Sequence, residues 1–211
     1  MSGVTKGRFI SLEGGEGVGK STQAAALESL LRERGFDVVE TREPGGSPDA
    51  EAIRALLLKG DEQRWTPQAE ALLFAAARSD HVTQLIRPAL ERGAWVVCDR
   101  FVDSSIAYQG GAGGLGFETI RALHRIGSAG LLPDRTLLLD LPQIEADERA
   151  ARRDMFNPDL IGRRGTEYHH DVAQAFRELA KEEPNRFRVI DASGSAKTVT
   201  ARLLAAVEDL C

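Results

Sequence analysis

Hydrophobic and polar positions along this chain change period repeatedly, and the changes mark out alternating strands and helices. Phe9, Ile10 and Leu12 form a short apolar run of buried-strand type that ends at a glycine-rich turn. Ser21 to Arg34 then carries Leu27, Leu30 and Leu31 at helical spacing, with Gly35 as its C-cap. Phe36 to Thr41 is the second strand, and a helix between two strands is what a parallel crossover requires. Ser47-Pro48 starts a short helix with acids at Asp49 and Glu51 and an apolar face of Ile53, Leu56 and Leu57. A longer helix runs from Thr66-Pro67 to about Glu91, where Gly93 stops it. Ala94 to Cys98, Arg135 to Leu141 and Phe187 to Asp191 complete the strands. The remaining helices are Phe117 to Ile126, Glu167 to Lys181, with Val172, Ala175, Phe176 and Leu179 inward, and Ala196 to Leu210, with Val199, Leu203, Leu204 and Val207 inward. This alternation predicts an α/β architecture of three layers, a five-stranded parallel sheet flanked by helices on both faces.

Composition narrows the class. A length of 211 residues with 42% hydrophobic content suits one domain, 1–211, with a substantial core. The formal charge of −5 argues against a broad basic face for nucleic acid, so a polyphosphate ligand has to be held by local cations. Cys98 ends an apolar run and Cys211 is the last residue, a pair that makes no disulfide framework. MSGVTKGRF lacks the long apolar stretch of a signal peptide and no window approaches a membrane span, so a reducing cytoplasm is the expected setting.

Candidate chemistry centres on Gly14-x-x-x-x-Gly19-Lys20-Ser21 between the first strand and the first helix. Gly14, Gly15, Gly17 and Gly19 let backbone N–H groups, with those of Glu16 and Val18, wrap phosphate oxygens at a helix N-terminus. Lys20 supplies a mobile cation, and Ser21, followed by Thr22, supplies a hydroxyl for Mg²⁺. The architecture is therefore expected to be a P-loop NTPase fold. Arg42-Glu43-Pro44-Gly45-Gly46 is a charged loop at a strand's carboxyl end, where open α/β sheets bind ligands. Phe74 and Arg78, four apart on one helix face, suit stacking on a planar base and hydrogen bonding to its carbonyl; the same spacing also describes a core phenylalanine beside a solvated arginine. Asp99-Arg100 closes a strand next to the loop, either as metal-holding acid and phosphate fork or as an ordinary ion pair. Ser104 to Gly111 is rich in hydroxyls and amides and breaks into a glycine-dense loop ending at Gly116. Arg149, Arg152, Arg153, Arg163 and Arg164 suit a cationic cover over phosphates, or a solvated helix paired to Glu145, Glu148 and Asp154. His169 and His170 read as surface residues.

These motifs, in the order FISLEGGEGVGKST, TREPGG, LLFAAARSDH, CDRF and SSIAYQGG, resemble the thymidylate kinase family from about Arg8 onward. The resemblance implies ATP and dTMP as substrates, Mg²⁺ as cofactor, no nucleic-acid or membrane partner, a homodimer, and a small lid at about 144–165. It implies that Phe74 stacks on thymine, Arg78 meets its O4, Arg100 holds the dTMP phosphate, Glu16 reaches the 3′-hydroxyl region and Asp99 sits near metal and phosphates. It also implies that Ser105 lies at the base edge, that Tyr108 crowds the 2′ position with Gln109 beside it, and that Pro44 and Leu57 line the pocket. A phosphate loop without arginine implies catalytic arginines in the lid, among Arg149, Arg152 and Arg153. Two other readings remain at this stage: another small-molecule P-loop kinase, or a nucleotide switch, against which stands the lack of an N-K-x-D type motif.

Overall fold

The computed structural model describes residues 7–59, 64–142, 144–146, 148–149, 162 and 164–211. Five strands, β1 (Phe9–Glu13), β2 (Val38–Arg42), β3 (Trp95–Asp99), β4 (Arg135–Asp140) and β5 (Phe187–Asp191), pair in parallel in the order β2-β3-β1-β4-β5. The connections leave central β1 in both directions, so the carboxyl ends of β1 and its neighbours open a crevice. Strand register puts Leu12 beside Asp99 and Asp99 beside Arg42, which gathers Glu13, Asp99 and Arg42 at that edge.

Two apolar clusters fill the two faces, as a parallel sheet covered on both sides requires. On one face Ile10, Leu12, Val97, Leu137 and Leu139 pack with α1 (Lys20–Glu33) and α8 (Ala196–Ala205). On the other, Phe9, Val96, Cys98 and Leu138 pack with α3 (Pro67–His81), α5 (Val102–Ser105), α6 (Phe117–Ser128) and α7 (Thr166–Glu182). Helix α2 (Pro48–Leu58) packs on α3 beyond the edge of the sheet.

The long helix expected from Thr66 to Glu91 begins under a Thr66 cap that accepts from the Ala69 amide. It is not uniform. Val82–Ile86 is a π turn, with Arg87 N–H donating to Val82 O, before α4 (Arg87–Glu91) resumes. Pro88 in α4 has no N–H to donate, which loosens the ladder there. Gly110 to Gly116 also departs in part from the expected loop. Ile106–Ala112 continues α5 as a π-helix, and only the turn beyond it is irregular. A Cβ on Gly111 would lie 2.8 Å from the Ala175 methyl, so this glycine is there to let the helix press against α7 rather than to make the chain loose. Most of the 144–165 segment lies outside the described residues, Arg152, Arg153 and Arg163 among them. No helix among the described residues is long and apolar enough to cross a membrane.

Candidate active site

The glycine loop joins β1 to α1, and its backbone is built for an anion. Gly19 caps α1 at φ 93° with no side-chain cap, so the first-turn N–H groups are left for a ligand, and no acid stands in that turn to compete. Gly14, at φ 136°, has no room for a Cβ, which would fall 2.5 Å from Leu139 O. Gly17, at φ 73°, makes the left-handed turn in the middle of the loop. The expected wrapping glycines do not all face one way. Gly17 and Gly19 border the cavity that also holds Lys20 and Ser21, whereas Gly14, Gly15 and Val18 line a neighbouring cavity with Leu139 and Asp140. Glu16 touches both spaces, and Val18 is buried and anchors the loop.

Lys20 lies across the loop with Nζ donating to Gly15 O at 2.6 Å, and burial together with the Arg100 charge pushes its ammonium down to about 8. Exposed Ser21 donates to Asp99 Oδ2 at 2.5 Å, and Thr22 follows it at the rim of the same cavity. The other Asp99 oxygen, Oδ1, is buried with no hydrogen-bond partner. An acid oxygen held this way beside a serine hydroxyl fits a divalent cation or its bound water. No group of three or more His, Cys, Asp or Glu that could hold a metal occurs among the described residues, so such a cation would take its remaining oxygens from phosphates and water.

Arg100 stands at φ 69°, a conformation L-residues seldom adopt, and neighbouring groups pin the turn. Its N–H donates to Leu12 O at 3.0 Å, while Glu13 accepts from Phe101 N at 2.7 Å and from Ser104 Oγ at 2.6 Å. Burial and the Asp103 carboxylate push Glu13 up to about 8. The Arg100 guanidinium donates to Glu16 Oε1 at 2.6 Å, Tyr108 Oη at 3.1 Å, Ser104 Oγ at 3.0 Å and Gly14 O at 3.1 Å. Asp99 and Arg100 thus face different partners, and the simple strand-end ion pair is not what forms.

Arg100 and Glu16 line two adjoining cavities. The first is the phosphate-loop cavity, with Gly17, Lys20, Ser21, Asp99 and Arg149 also on its wall. The second is bounded by Pro44, Phe74, Arg78, Ser105, Tyr108 and Gln109. Arg78 is 3% exposed and pairs with Glu43 at 2.7 Å, so the solvated-arginine alternative fails. Its Nη2 donates to Ser105 Oγ at 2.7 Å, and its guanidinium lies 5.4 Å from the Phe101 ring centre. Gln109 donates to Glu70 at 3.0 Å; Glu70 also pairs with Arg164, which donates to Tyr168 Oη.

Leu57 is buried, and Leu58 reaches the second cavity instead, because one step along α2 turns the side chain by about a quarter circle. Arg149 reaches the phosphate cavity while remaining 3.7 Å from Glu145, so both descriptions of that arginine apply. The cavity residue that sequence reasoning passed over is Arg54, which borders both cavities and carries no signal beyond its place in α2. Glu43 and Phe101 are legible only as members of the Arg42–Gly46 loop and of CDRF, and the structure brings both to the second cavity.

A glycine loop between the central strand and its helix, an acid at the end of the neighbouring strand and a second cavity that shares Glu16, Glu43, Arg54 and Arg100 with the first define a P-loop nucleotide-binding protein with room for a second ligand. The thymidylate kinase family model matches residues 12–203. The chain is 65% identical over 204 residues to the thymidylate kinase of Rhizorhabdus wittichii, covering 97% of this chain and 98% of that one. It is 46% identical to that of Bradyrhizobium diazoefficiens, over 97% and 90% of the two chains. The crystal structure of thymidylate kinase from Ehrlichia chaffeensis matches with a TM-score of 0.79 at 31% identity, covering 96% of this chain and 99% of that one. The chain belongs to the thymidylate kinase family.

Proposed function

We propose that the two adjoining cavities are the donor and acceptor sites of one kinase domain, with Arg100 at their junction. The chain phosphorylates dTMP to dTDP with ATP as donor and Mg²⁺ as cofactor. The observation that carries the assignment of sites is that Arg100 and Glu16 border both cavities, so one guanidinium can meet an acceptor phosphate while Lys20 meets the donor.

In this reading the loop amides on the phosphate-cavity side, those of Glu16, Gly17 and Gly19, bind the donor phosphates together with Lys20, while Gly14, Gly15 and Val18 shape the loop from its other side. Ser21 and Asp99 would hold Mg²⁺, which would supply charge neutralisation at the phosphates. Phe74 stacks on thymine, Arg78 donates to its 4-carbonyl, and Ser105 lies at the base edge. Tyr108 packs against the sugar beside Gln109, Glu16 reaches its 3′ side, and Pro44 closes the pocket. The bond from the γ-phosphorus to the ADP oxygen breaks as a bond forms to an oxygen of the dTMP phosphate. That oxygen is already ionised at neutral pH, so positioning and charge compensation carry the step and no strong base is needed. Arg149, with Arg152 and Arg153 from a lid at about 144–165, spreads the transferring charge and helps exclude water. A cytoplasmic homodimer packed through the α3 face completes the proposal; Leu72 there is 56% exposed.

The test is ADP formation from Mg·ATP with dTMP, dUMP, dCMP, dGMP, AMP or no acceptor. Strong dTMP-dependent turnover yielding dTDP is expected. Slow hydrolysis indifferent to acceptor would instead mark a nucleotide switch and return Phe74 and Arg78 to the core.

A further inference from the structure

Behind the base cavity a buried chain of polar groups runs from β2 to α5. Arg78 Nε donates to Glu43 Oε2 at 2.7 Å, His81 Nδ1 lies 3.1 Å from Glu43 Oε1, and Thr41 Oγ1 lies 2.8 Å from His81 Nε2. Glu43, Arg78 and His81 are 5%, 3% and 0% exposed, so water does not compete for these bonds. Burial alone would raise the Glu43 carboxyl, but the charges of Arg78 and His81 outweigh it and hold it below the ordinary carboxylate value. An ionised Glu43 can only accept, which fixes a proton on His81 Nδ1.

The consequence falls on Arg78. Its Nε goes to Glu43 and its Nη2 to Ser105 and, at 3.5 Å, to Phe101 O, and among the described residues Nη1 has no hydrogen-bond partner. A planar guanidinium gripped along one edge has a single orientation, and its remaining donor is left for whatever occupies the cavity. The Glu43–Gly46 loop is pressed onto the same chain of groups. A Cβ on Gly46 would lie 2.3 Å from His81 Nε2 and 2.5 Å from Thr41 Oγ1, so only glycine lets the loop close there.

We propose that Glu43 and His81 are positioning residues for base recognition: they hold Arg78 so that Nη1 meets a pyrimidine 4-carbonyl and opposes the 4-amino group of cytosine. A held donor stays directed at that position, where a carbonyl is accepted and an amino group is left unpaired. An arginine released from Glu43 can turn aside, and the two bases become harder to tell apart. The proposal rests on the assignment of Phe74 and Arg78 to the base pocket.

The experiment compares His81→Phe, His81→Asn, Glu43→Gln and Arg78→Lys, each checked for an unchanged thermal transition, by steady-state kinetics with dTMP and dCMP at saturating Mg·ATP and with ATP varied. His81→Phe should raise the dTMP KM about tenfold and narrow the dTMP-to-dCMP ratio of kcat/KM by a similar factor, with the ATP KM unmoved. Glu43→Gln should act in the same sense and more strongly. His81→Asn, whose amide can donate near the Nδ1 position, should recover most of the discrimination. If His81→Phe and His81→Asn behave alike, or the dTMP and ATP constants move together, the chain only holds α3 to the loop and the proposal is overturned. If Arg78→Lys narrows discrimination while the Glu43 and His81 variants do not, the proposal fails and the base pocket stands. If Arg78→Lys also leaves the ratio unchanged, the pocket assignment itself falls.

Discussion

The proposed phosphate side and base side of this site are made in different ways. The phosphate side is built around one continuous stretch, Gly14 to Thr22, which offers backbone N–H groups and a helix end, with Arg42, Glu43, Arg54, Asp99, Arg100 and Arg149 completing the wall. The base side takes Pro44, Phe74 with Arg78, and Ser105 with Tyr108 from three separated segments, and side chains do the work. A phosphate is the same group in every nucleotide, so a local backbone cradle suffices for it. A base has to be distinguished from others of nearly equal size, which takes donors fixed in direction and held by buried partners.

That contrast can be broken or sharpened. Lys20→Ala, on the phosphate side, should lower kcat by about a thousandfold or more for every acceptor, with the thermal transition nearly unchanged, because it removes charge stabilisation common to all reactions. An acceptor-dependent loss in steady-state assays would erase the division between the two sides. Ser105→Ala, on the base side, should raise the dTMP KM by about tenfold and leave the ATP KM alone, since it removes one hydroxyl that receives Arg78 Nη2. An equal rise in both constants would show that the base side is not energetically separate.

The smallest expected effect on activity is at His124, which belongs to neither side. Its Nε2 meets Leu131 O at 2.6 Å, its Nδ1 is buried without a partner, and burial together with the Arg78 charge lowers it from 6.5 to about 4. The unfolded chain therefore takes up this proton first as pH falls, so the associated stability is present above about 6.5 and is lost toward about 4. Denaturant titrations should show His124→Phe losing about 2–3 kcal/mol less than the parent across that window, with kcat/KM unchanged at neutral pH. Parallel stability curves for the two proteins would refute the assignment.

Much of this is legible in the sequence alone. The Gly14–Ser21 signature, the order of strands and helices and the acid at Asp99 are local facts, because spacing along the chain fixes what lies on one face or in one turn. Which glycines of that signature face the phosphate cavity was not legible, since Gly15 and Gly17 look alike in sequence and differ only in the side of the loop they present. Phe74 and Arg78 were legible as a pair sharing a helix face, but not whether Arg78 was solvated or buried. Gly110 and Gly111 read as loop residues because glycine signals flexibility in isolation, whereas the close approach of Ala175 is visible only once α7 is in place.

By itself, then, the sequence determined the class of fold, the phosphate cradle and most of the side chains available to the site. Tertiary structure alone decided that Leu58 rather than Leu57 reaches the pocket, that Arg100 is shared by two cavities, and that Glu43 and His81 stand behind Arg78. The physical reason is range. A backbone turn or helix end is specified by a few consecutive residues, but the direction of the buried Arg78 charge depends on Glu43 and Ser105, 35 and 27 positions away along the chain, which meet it only when the sheet and its helices have packed.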